Sequence, residues 1–495
     1  MVKEQYKCLK MGQELRKNLI DLKKELKDEA VKEDFLVLLQ GDYSLFIGMM
    51  KDADPKVRKN AALILGRLGQ DENVLPLFEA YKREQQLFVK SDYLKALFAL
   101  DCSACREELA KRLAELEQYH PAEEEEKHIR EELLALRKLA DKGAVHKRHK
   151  FQGYGDTWEV ILTTGKKYQQ ITAEQITEGK ITILNSGVRV VTDHLKSVLP
   201  IPTYRELLFP LNVRKVPGDF REAAKALAGS DLLDLLQKAH KAKDVFYFRL
   251  GLQSPRSLDA RSTFIKKCSF ALEQETGGRL KNSASDYELE IRLIENREGE
   301  FLPLVRLYTF EEERFSYRKN TVAASIRPEQ AALAVRLALP YMQEQAQVLD
   351  PFCGVGTMLI ERDRICPAKV MYGVDIFGEA IAGARENTEL AGKEIYYINR
   401  DFFAFTHKYL FDEIITNMPV RGKKTKMEQD GLYASFFEKM GELMEDGGRI
   451  IMYSNEKSFV KKQLRLHREF TLLREYSMDE KNNYYLFVIE CSFSG

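Results

Sequence analysis

The sequence has few cysteines and almost no net charge. Its 495 residues include seven Cys, and 77 Lys and Arg balance 76 Asp and Glu. An odd number of scattered cysteines argues against a disulfide-bonded secreted domain and favours a reducing compartment. A charge balance near zero excludes a general positive excess of the kind that binds nucleic acid, so any basic surface must be local.

Long apolar segments are also missing. No apolar run reaches the roughly 18 residues that a membrane-spanning helix needs. The first residues, MVKEQYKCLKMGQELRKNL, lack the apolar core of a signal peptide. Hydrophobic residues nevertheless make up 44% of the chain, which is typical of a globular protein and not of a disordered one. We therefore expect a soluble, cytoplasmic protein with about three domains, at roughly 150 residues per domain.

The first predicted domain, residues 1–145, is all-α and repeats itself. Asp54 predicts the start of a helix, and Gly69 predicts its end. The apolar face of this helix recurs 32 residues later, as Val57 and Val89 illustrate. The segment DADPKVRKNAALILGRLG resembles a HEAT repeat, which implies a solenoid with an extended surface for a protein partner. A small helical bundle is the alternative.

The second predicted domain, residues 150–313, is an α+β module. WEVILTT and ITILNSGVRVV indicate strands, and the second of these folds into a hairpin at an Asn-Ser-Gly turn. A strand at Val245–Leu250, a helix at Arg261–Glu275 and a hairpin around Gly299 then predict half of a ferredoxin-like unit. Such units are common in RNA-associated modules, but the pattern by itself fixes no function.

The third predicted domain, residues 314–495, alternates apolar strands with amphipathic helices. The strands are VLD, VMYGVD, IYYIN, FDEIIT and GGRIIMY, and TLLREYS and YYLFVIE follow as a hairpin. This order predicts an α/β fold with a doubly wound, Rossmann-like parallel sheet and an antiparallel edge.

Acidic residues stand at the ends of three successive strands. Asp350 precedes a glycine loop and a helix N-terminus, an arrangement that suits a ligand with an ammonium group and a carboxylate, as in S-adenosylmethionine. A dinucleotide-binding motif would have its third glycine at position 359. Leu359 stands there, so the sequence does not match that motif. Asp375 ends the next strand, where an acid accepts from ribose hydroxyls. Asp401 can accept from the adenine amino group, while Phe402 packs on the ring.

The fourth strand ends in Asn417-Met418-Pro419-Val420. An Asn side-chain carbonyl and an adjacent main-chain carbonyl can both accept from one exocyclic amine. They then direct the nitrogen lone pair at a methyl donor. We therefore predict methyl transfer to a nitrogen that needs no strong base, and we assign no metal ligand.

The motifs DPFCGVGTMLIE, GVDIFGEAIAGARENTELAG and TNMP resemble those of RNA N-methyltransferases that join a class I methyltransferase domain to a THUMP domain. The resemblance extends from about Arg314 to Glu490 and includes the lead-in segment YRKNTVAASIRPEQAALAVRLA. It implies S-adenosylmethionine as cofactor, guanine N2 of tRNA or rRNA as target, and a THUMP-like central module. It implies Asn417 and Pro419 as catalytic residues. The cofactor contacts that it implies are Asp350, Cys353, Gly354, Gly356, Thr357, Asp375, Asp401 and Phe402.

The last motif departs from this family at its fourth position. Val420 stands where the family carries an aromatic ring that stacks on the target base, so Arg421, Tyr433 and Phe436 are candidate replacements.

The basic loop at residues 421–426 either contacts phosphates or is simply solvated. DNA or protein-amide methylation, and a non-catalytic protein that binds S-adenosylmethionine or RNA, are the alternative functions.

Overall fold

The computed structural model describes residues 2–119, 121–122, 124–141, 148–311, 313–323 and 325–493. The chain divides into two compact units, Met1–Arg148 with Lys266–Lys281 and His149–Ile265 with Asn282–Gly495. The predicted boundary at 145–150 overlaps residues 142–147, which lie outside the described residues. The predicted boundary at 313–314 falls inside the second unit. Both boundaries therefore stay predictions.

The described part of residues 2–141 in the first unit is built from helices and the short turns that connect them. Its complete helices are α1 (Val2–Lys10), α2 (Leu15–Glu25), α3 (Glu29–Leu39), α4 (Ser44–Met49), α5 (Pro55–Leu68), α6 (Val74–Arg83), α7 (Leu87–Phe98), α8 (Arg106–Gln118) and α9 (Glu126–Asp141). The predicted limits of α5 are confirmed, because the side chain of Asp54 caps its first turn and Gly69 ends it at a φ of 71°. Val57 and Val89, the recurring apolar positions, lie in one buried core. The HEAT-like assignment stays a prediction.

The second unit begins with an α+β region that we call the central module. Its elements are β1 (Trp158–Thr163), α10 (Gln169–Ala173), β2 (Lys180–Leu184), β3 (Gly187–Thr192), α11 (Leu195–Val198), β4 (Leu207–Pro210), α12 (Phe220–Ala228), α13 (Leu232–His240), β5 (Phe246–Gln253), α14 (Leu258–Glu275), β6 (Leu280–Asn282), β7 (Leu289–Glu295) and β8 (Phe301–Leu307). Residues 266–281 of this stretch belong to the first unit. The strands that lie wholly in the second unit are ordered β2-β3-β1-β4-β8-β7-β5.

The predicted hairpins and the strand–helix–hairpin pattern are confirmed. β2 and β3 pair antiparallel, with Ile183 opposite Val188. β7 and β8 also pair antiparallel, with Leu293 opposite Pro303, and β5 lies parallel to β7. The THUMP-like identity of the central module stays a prediction, because this arrangement is shared by many functions.

The rest of the second unit is a three-layer α/β domain. Its elements are α15 (Pro328–Ala338), β9 (Gln347–Asp350), α16 (Thr357–Ile365), β10 (Val370–Asp375), α17 (Gly378–Leu390), β11 (Tyr396–Asn399), β12 (Phe411–Asn417), α18 (Lys426–Leu443), β13 (Met444–Ser454), α19 (Lys457–Leu466), β14 (Phe470–Asp479) and β15 (Tyr484–Cys491). The sheet order is β11-β10-β9-β12-β13-β15-β14. β9 to β13 pair parallel, and β15 pairs antiparallel with both of its neighbours, which confirms the predicted sheet and edge hairpin.

Both faces of this sheet are apolar. Val348 and Ile415 join one buried cluster, while their neighbours Leu349 and Ile414 join the other. Because successive side chains of a strand point to opposite faces, helices must cover both sides of the sheet. The strand order reverses between β9 and β12, and ligands of such folds bind at that position, outside the carboxyl ends of the strands.

None of the helices in the described part of the chain is long and apolar enough to cross a membrane.

Candidate active site

A cavity of about 660 Å³ opens at the carboxyl ends of β9, β10 and β12. The side chains predicted from four separate strand ends meet here because parallel strands present these ends at one edge of the sheet. The predicted site residues that line it are Asp350, Cys353, Gly354, Thr357, Asp375, Asp401, Phe402, Asn417 and Pro419. Their individual roles stay predictions.

Gly356 is the predicted site residue that is not part of the cavity wall. Its φ is 82°, and a Cβ atom added to it would lie 2.2 Å from the hydroxyl oxygen of Tyr397. That hydroxyl shares a hydrogen bond of 2.8 Å with Thr388. Both the left-handed backbone and the close packing therefore require glycine at this position. Its predicted cofactor contact stays a prediction.

The carboxylate of Asp375 connects two loops at the rim. Its Oδ2 accepts a hydrogen bond from the backbone N–H of Gly354, and its Oδ1 accepts one from Phe377, both at 2.9 Å. Asn399 at the end of β11 donates to the main-chain carbonyl of Asp375 at 3.0 Å. Each carboxylate oxygen has more than one lone pair, so Asp375 keeps capacity for hydroxyl donors such as those of a ribose.

Asp350 is buried at the base of the cavity. Burial raises the pKa of its carboxyl group to about 7, and the neighbouring negative charge of Asp375 contributes in the same direction. Its Oδ1 accepts a hydrogen bond from the N–H of Phe352 at 3.1 Å. A buried carboxyl group with a raised pKa suits a positively charged ligand, which restores its charged form.

We expect cofactor binding to release a proton from Asp350 below pH 7. At a pKa of about 7 the ligand-free carboxyl is mostly protonated near pH 6, and a ligand ammonium group favours the carboxylate. Affinity for S-adenosylhomocysteine should therefore rise as the pH rises towards 7, with about one proton released per ligand near pH 6. Titration calorimetry in two buffers of different ionisation enthalpy measures this number.

Asp350→Asn is the matched control, since it removes the titrating group and should abolish the proton release. Wild-type affinity that does not change between about pH 5.5 and 7.5 would contradict the assignment.

The stability of the ligand-free protein should change with pH in the opposite direction. Its protonated Asp350 stabilises the fold below the ordinary pKa of 3.8, and this contribution is lost as the pH rises through about 7.

Apolar side chains form another part of the wall. Ile376 and Phe377 line the cavity and are 61% and 71% exposed. Phe402 is buried and packs against Phe352, with 5.4 Å between ring centroids. Exposed apolar groups in a cavity wall suit a planar base. Ile376, Phe377 and Phe352 were not predicted as part of the cavity wall. Ile376 and Phe377 are two large apolar residues directly after the strand-end acid Asp375, and this pattern could have indicated them.

The segment after Asn417 is held on two sides. The N–H of Met418 donates to the carbonyl of Tyr453 at 2.9 Å, next to the β12–β13 ladder. Gln429, fully buried on α18, donates its Nε2 to the carbonyl of Pro419 at 2.8 Å. These bonds fix the main-chain carbonyls that lie next to Asn417. Gln429 was not predicted, and no local motif marks it.

Two of the candidates for the missing aromatic ring are wrong. Tyr433 and Phe436 are fully buried and do not line the cavity. The Tyr433 hydroxyl shares a hydrogen bond of 2.6 Å with Ser454, and Phe436 packs in the apolar cluster beneath α18. The apolar stripe of an amphipathic helix faces the sheet, which takes both rings away from a ligand. Val420 itself lines the cavity, and Arg421 stays a prediction.

Cys353 does not offer a nucleophile. Burial raises the pKa of its thiol well above the ordinary value, so the thiol stays protonated at neutral pH. Within the described residues, no group of three or more His, Cys, Asp or Glu side chains is placed to hold a metal ion.

A parallel sheet of this order, with acids at three strand ends and Asn-x-Pro at a fourth, defines a class I methyltransferase domain. The family comparison is more specific. Residues 316–480 match the family described as UPF0020: RMKL-like, methyltransferase domain. This part of the chain is therefore an S-adenosylmethionine-dependent methyltransferase domain. Its donor set fits the cofactor, with a buried carboxyl for the ammonium group, an acid at the rim for hydroxyls and an apolar wall for the base.

Curated relatives align with part of the chain. The tRNA (guanine(10)-N2)-dimethyltransferase of Pyrococcus abyssi (strain GE5 / Orsay) is 32% identical over 150 residues, which are 28% of this chain and 44% of that protein. The U6 snRNA (guanine-N(2))-methyltransferase THUMPD2 of Bos taurus is 28% identical over 123 residues, 24% of each chain. The chain thus spans less than half the length of these relatives.

A solved structure shares the fold over a longer stretch. The crystal structure of TrmN from Thermus thermophilus aligns with a TM-score of 0.50 at 20% identity, covering 67% of this chain and 99% of that one. At this identity the likeness shows the fold alone.

Proposed function

We propose that the protein methylates a base nitrogen of a structured RNA, with guanine N2 of tRNA or rRNA as the target. The observation that carries the proposal is the position of Asn417 and the fixed Met418–Pro419 main chain on the wall of the cofactor cavity. Carbonyl oxygens at this point accept from an exocyclic amine and leave its lone pair pointing at the methyl donor. Both curated relatives carry guanine-N2 methylation of an RNA in their names, which supports this choice of substrate.

The residues of the chain then have separate tasks. The bound cofactor supplies the methyl group. Asp350 and Asp375 hold and orient it, and Asn417 with the adjacent main chain orients the amine. Gln429 keeps that main chain in place. Catalysis of this kind is positioning and electrostatics, so the amine proton can leave to water without a dedicated base.

Further contacts to RNA are proposed at the basic loop. Lys424 lines the cavity, and the neighbouring Arg421, Lys423 and Lys426 are exposed. Cations at the mouth of a site that takes one nucleotide are placed to contact the flanking phosphates.

We also propose roles for the other two predicted domains. The central module is THUMP-like and binds RNA, and the N-terminal repeats are HEAT-like and bind a protein partner. The cytoplasmic location stays a prediction from the scattered free cysteines.

The test is transfer of labelled methyl from S-adenosylmethionine to total small RNA from a strain that lacks the gene. Genomic DNA and total protein are treated in parallel. We expect label in the RNA, released on digestion as N2-methylguanosine. Label in another nucleoside would refute the guanine assignment, and label only in DNA or protein would refute the RNA assignment. Binding of S-adenosylhomocysteine with no transfer to any fraction would favour a non-catalytic protein.

A further inference from the structure

An apolar part of the cavity wall lies on the α18 side of the sheet. It consists of Phe352, Phe403 and Leu432, which line the cavity and are partly exposed. All three side chains pack against the buried cluster that α18 covers. Because this cluster fills the space beneath them, their exposed sides are turned towards the cavity.

This apolar part adjoins the segment that follows Asn417. Gln429 on α18 donates to the carbonyl of Pro419 at 2.8 Å, and Leu432 follows Gln429 by three residues. Residues at this spacing are neighbours on one face of a helix. In the sheet, β9 pairs with β12, so Phe352 and Asn417 stand at adjacent strand ends. These relations place the apolar part beside the position proposed for the target amine.

The turn that carries Phe403 is fixed on both sides of this residue. Asp401 caps the turn, and its Oδ1 accepts a hydrogen bond from the N–H of Phe403 at 3.0 Å. Phe402 and Phe405 are buried. The centroids of the Phe402 and Phe352 rings lie 5.4 and 6.4 Å from that of Phe403. The interplanar angles are 59° and 57°, so neither ring is stacked parallel to Phe403, and the ring is preorganised in the wall.

Other rings of the cavity wall are less suited to a base at this position. Among the described residues of the wall, Phe402 is buried, and Phe377 follows β10, which β9 separates from β12. Phe352 has three neighbouring rings, those of Phe402, Phe403 and Phe436, with centroids at 5.4, 6.4 and 6.3 Å. Phe403 is therefore the better placed of the two partly exposed rings on the α18 side.

We propose that Phe403 stacks on the target base and supplies the ring that position 420 lacks. The family that the catalytic motif resembles carries this ring directly after its Pro, where this chain has Val420. Stacking on an aromatic ring stabilises any bound base, because every base has a π-face. Asn417 then holds the amine at one edge of the base, while Phe403 fixes its plane. This inference rests on the proposed function, since it concerns the base that is methylated.

Phe403→Leu tests the proposal because it keeps an apolar side chain of similar size and removes the ring. We expect kcat/KM for methyl transfer to total small RNA to fall by about 5- to 140-fold, which corresponds to roughly 1–3 kcal/mol of stacking at about 1.4 kcal/mol per tenfold. Phe403→Tyr restores a ring and should stay within about threefold of wild type. Affinity for S-adenosylhomocysteine, measured by calorimetry, should stay within about twofold in both variants. If the Leu variant does not fold, Phe403→Met takes its place under the same criteria.

Tyr409→Leu is the matched control, since Tyr409 is an exposed ring in the same stretch of chain and lies outside the cavity wall. It should leave methyl transfer unchanged. Unchanged transfer in Phe403→Leu overturns the proposal. A loss of S-adenosylhomocysteine affinity as large as the loss of transfer also overturns it, because the ring then belongs to the cofactor site.

The same measurements separate this proposal from the proposed function. A wild-type protein that labels no RNA refutes the proposed function, and the stacking role fails with it. A wild-type protein that labels RNA, at a rate that Phe403→Leu does not change, refutes the stacking role alone.

Discussion

Asn417→Ala should lower methyl transfer to RNA by about 10²- to 10³-fold, the cost of removing one preorganised polar group from a site where charge develops. The variant loses the side-chain carbonyl that orients the amine. Without that carbonyl, the target base rarely adopts the orientation in which the nitrogen lone pair points at the methyl group. Affinity for S-adenosylhomocysteine should stay within about twofold, because the predicted cofactor contacts follow β9, β10 and β11 and not β12. Single-turnover transfer of labelled methyl measures the first quantity, and calorimetry measures the second.

Asn417→Asp is the matched variant, since it keeps an acceptor of the same shape. We expect it to lose less activity than Asn417→Ala. A wild-type transfer rate in Asn417→Ala would exclude this strand end as the catalytic position. A loss of cofactor binding equal to the loss of transfer would instead indicate a general disturbance of the cavity.

Asp375→Ala should weaken S-adenosylhomocysteine binding by tenfold or more, or about 1.5–3 kcal/mol. The variant removes a charged acceptor for the ribose hydroxyls. It also releases the N–H groups of Gly354 and Phe377, which are both held at 2.9 Å by this carboxylate. The glycine loop and the apolar wall then lose a common anchor. Calorimetry with the wild-type chain as reference measures the change.

Asp363→Ala is a suitable control because it removes a carboxylate that is paired with Lys393 outside the cavity. It should leave cofactor affinity unchanged. Asp375→Asn keeps one side-chain carbonyl and should fall between wild type and Asp375→Ala. Unchanged affinity in Asp375→Ala would show that the ribose assignment is wrong.

Local sequence signals predicted individual helices and strands in both units. Asp54 and Gly69 mark the limits of α5, because caps depend on residues next to each other in the chain. The continuous apolar runs of β9 to β13 predicted a sheet that is covered on both faces. Once the strands were parallel, their carboxyl ends had to meet, so the chemistry of Asp350, Asp375 and Asn417 converged on one cavity.

Side-chain burial was decided by packing between distant segments. Tyr433 and Phe436 follow the catalytic motif closely in sequence, yet the face that α18 presents to the sheet buries both rings. The same helix brings Gln429 to the carbonyl of Pro419. Which face of a helix meets which loop depends on how the helix lies on the sheet, and no short motif specifies that position.

The sequence by itself determined the alternation of strands and helices in residues 314–495, the residues at four strand ends and the chemistry that they share. These features follow from hydrophobic periodicity and from the geometry of parallel sheets. The tertiary structure decided that Phe403 and Leu432 share one part of the cavity wall and that Tyr397 requires a glycine at position 356. Both relations join segments that lie far apart in the chain. Only close packing of the folded chain brings their atoms together.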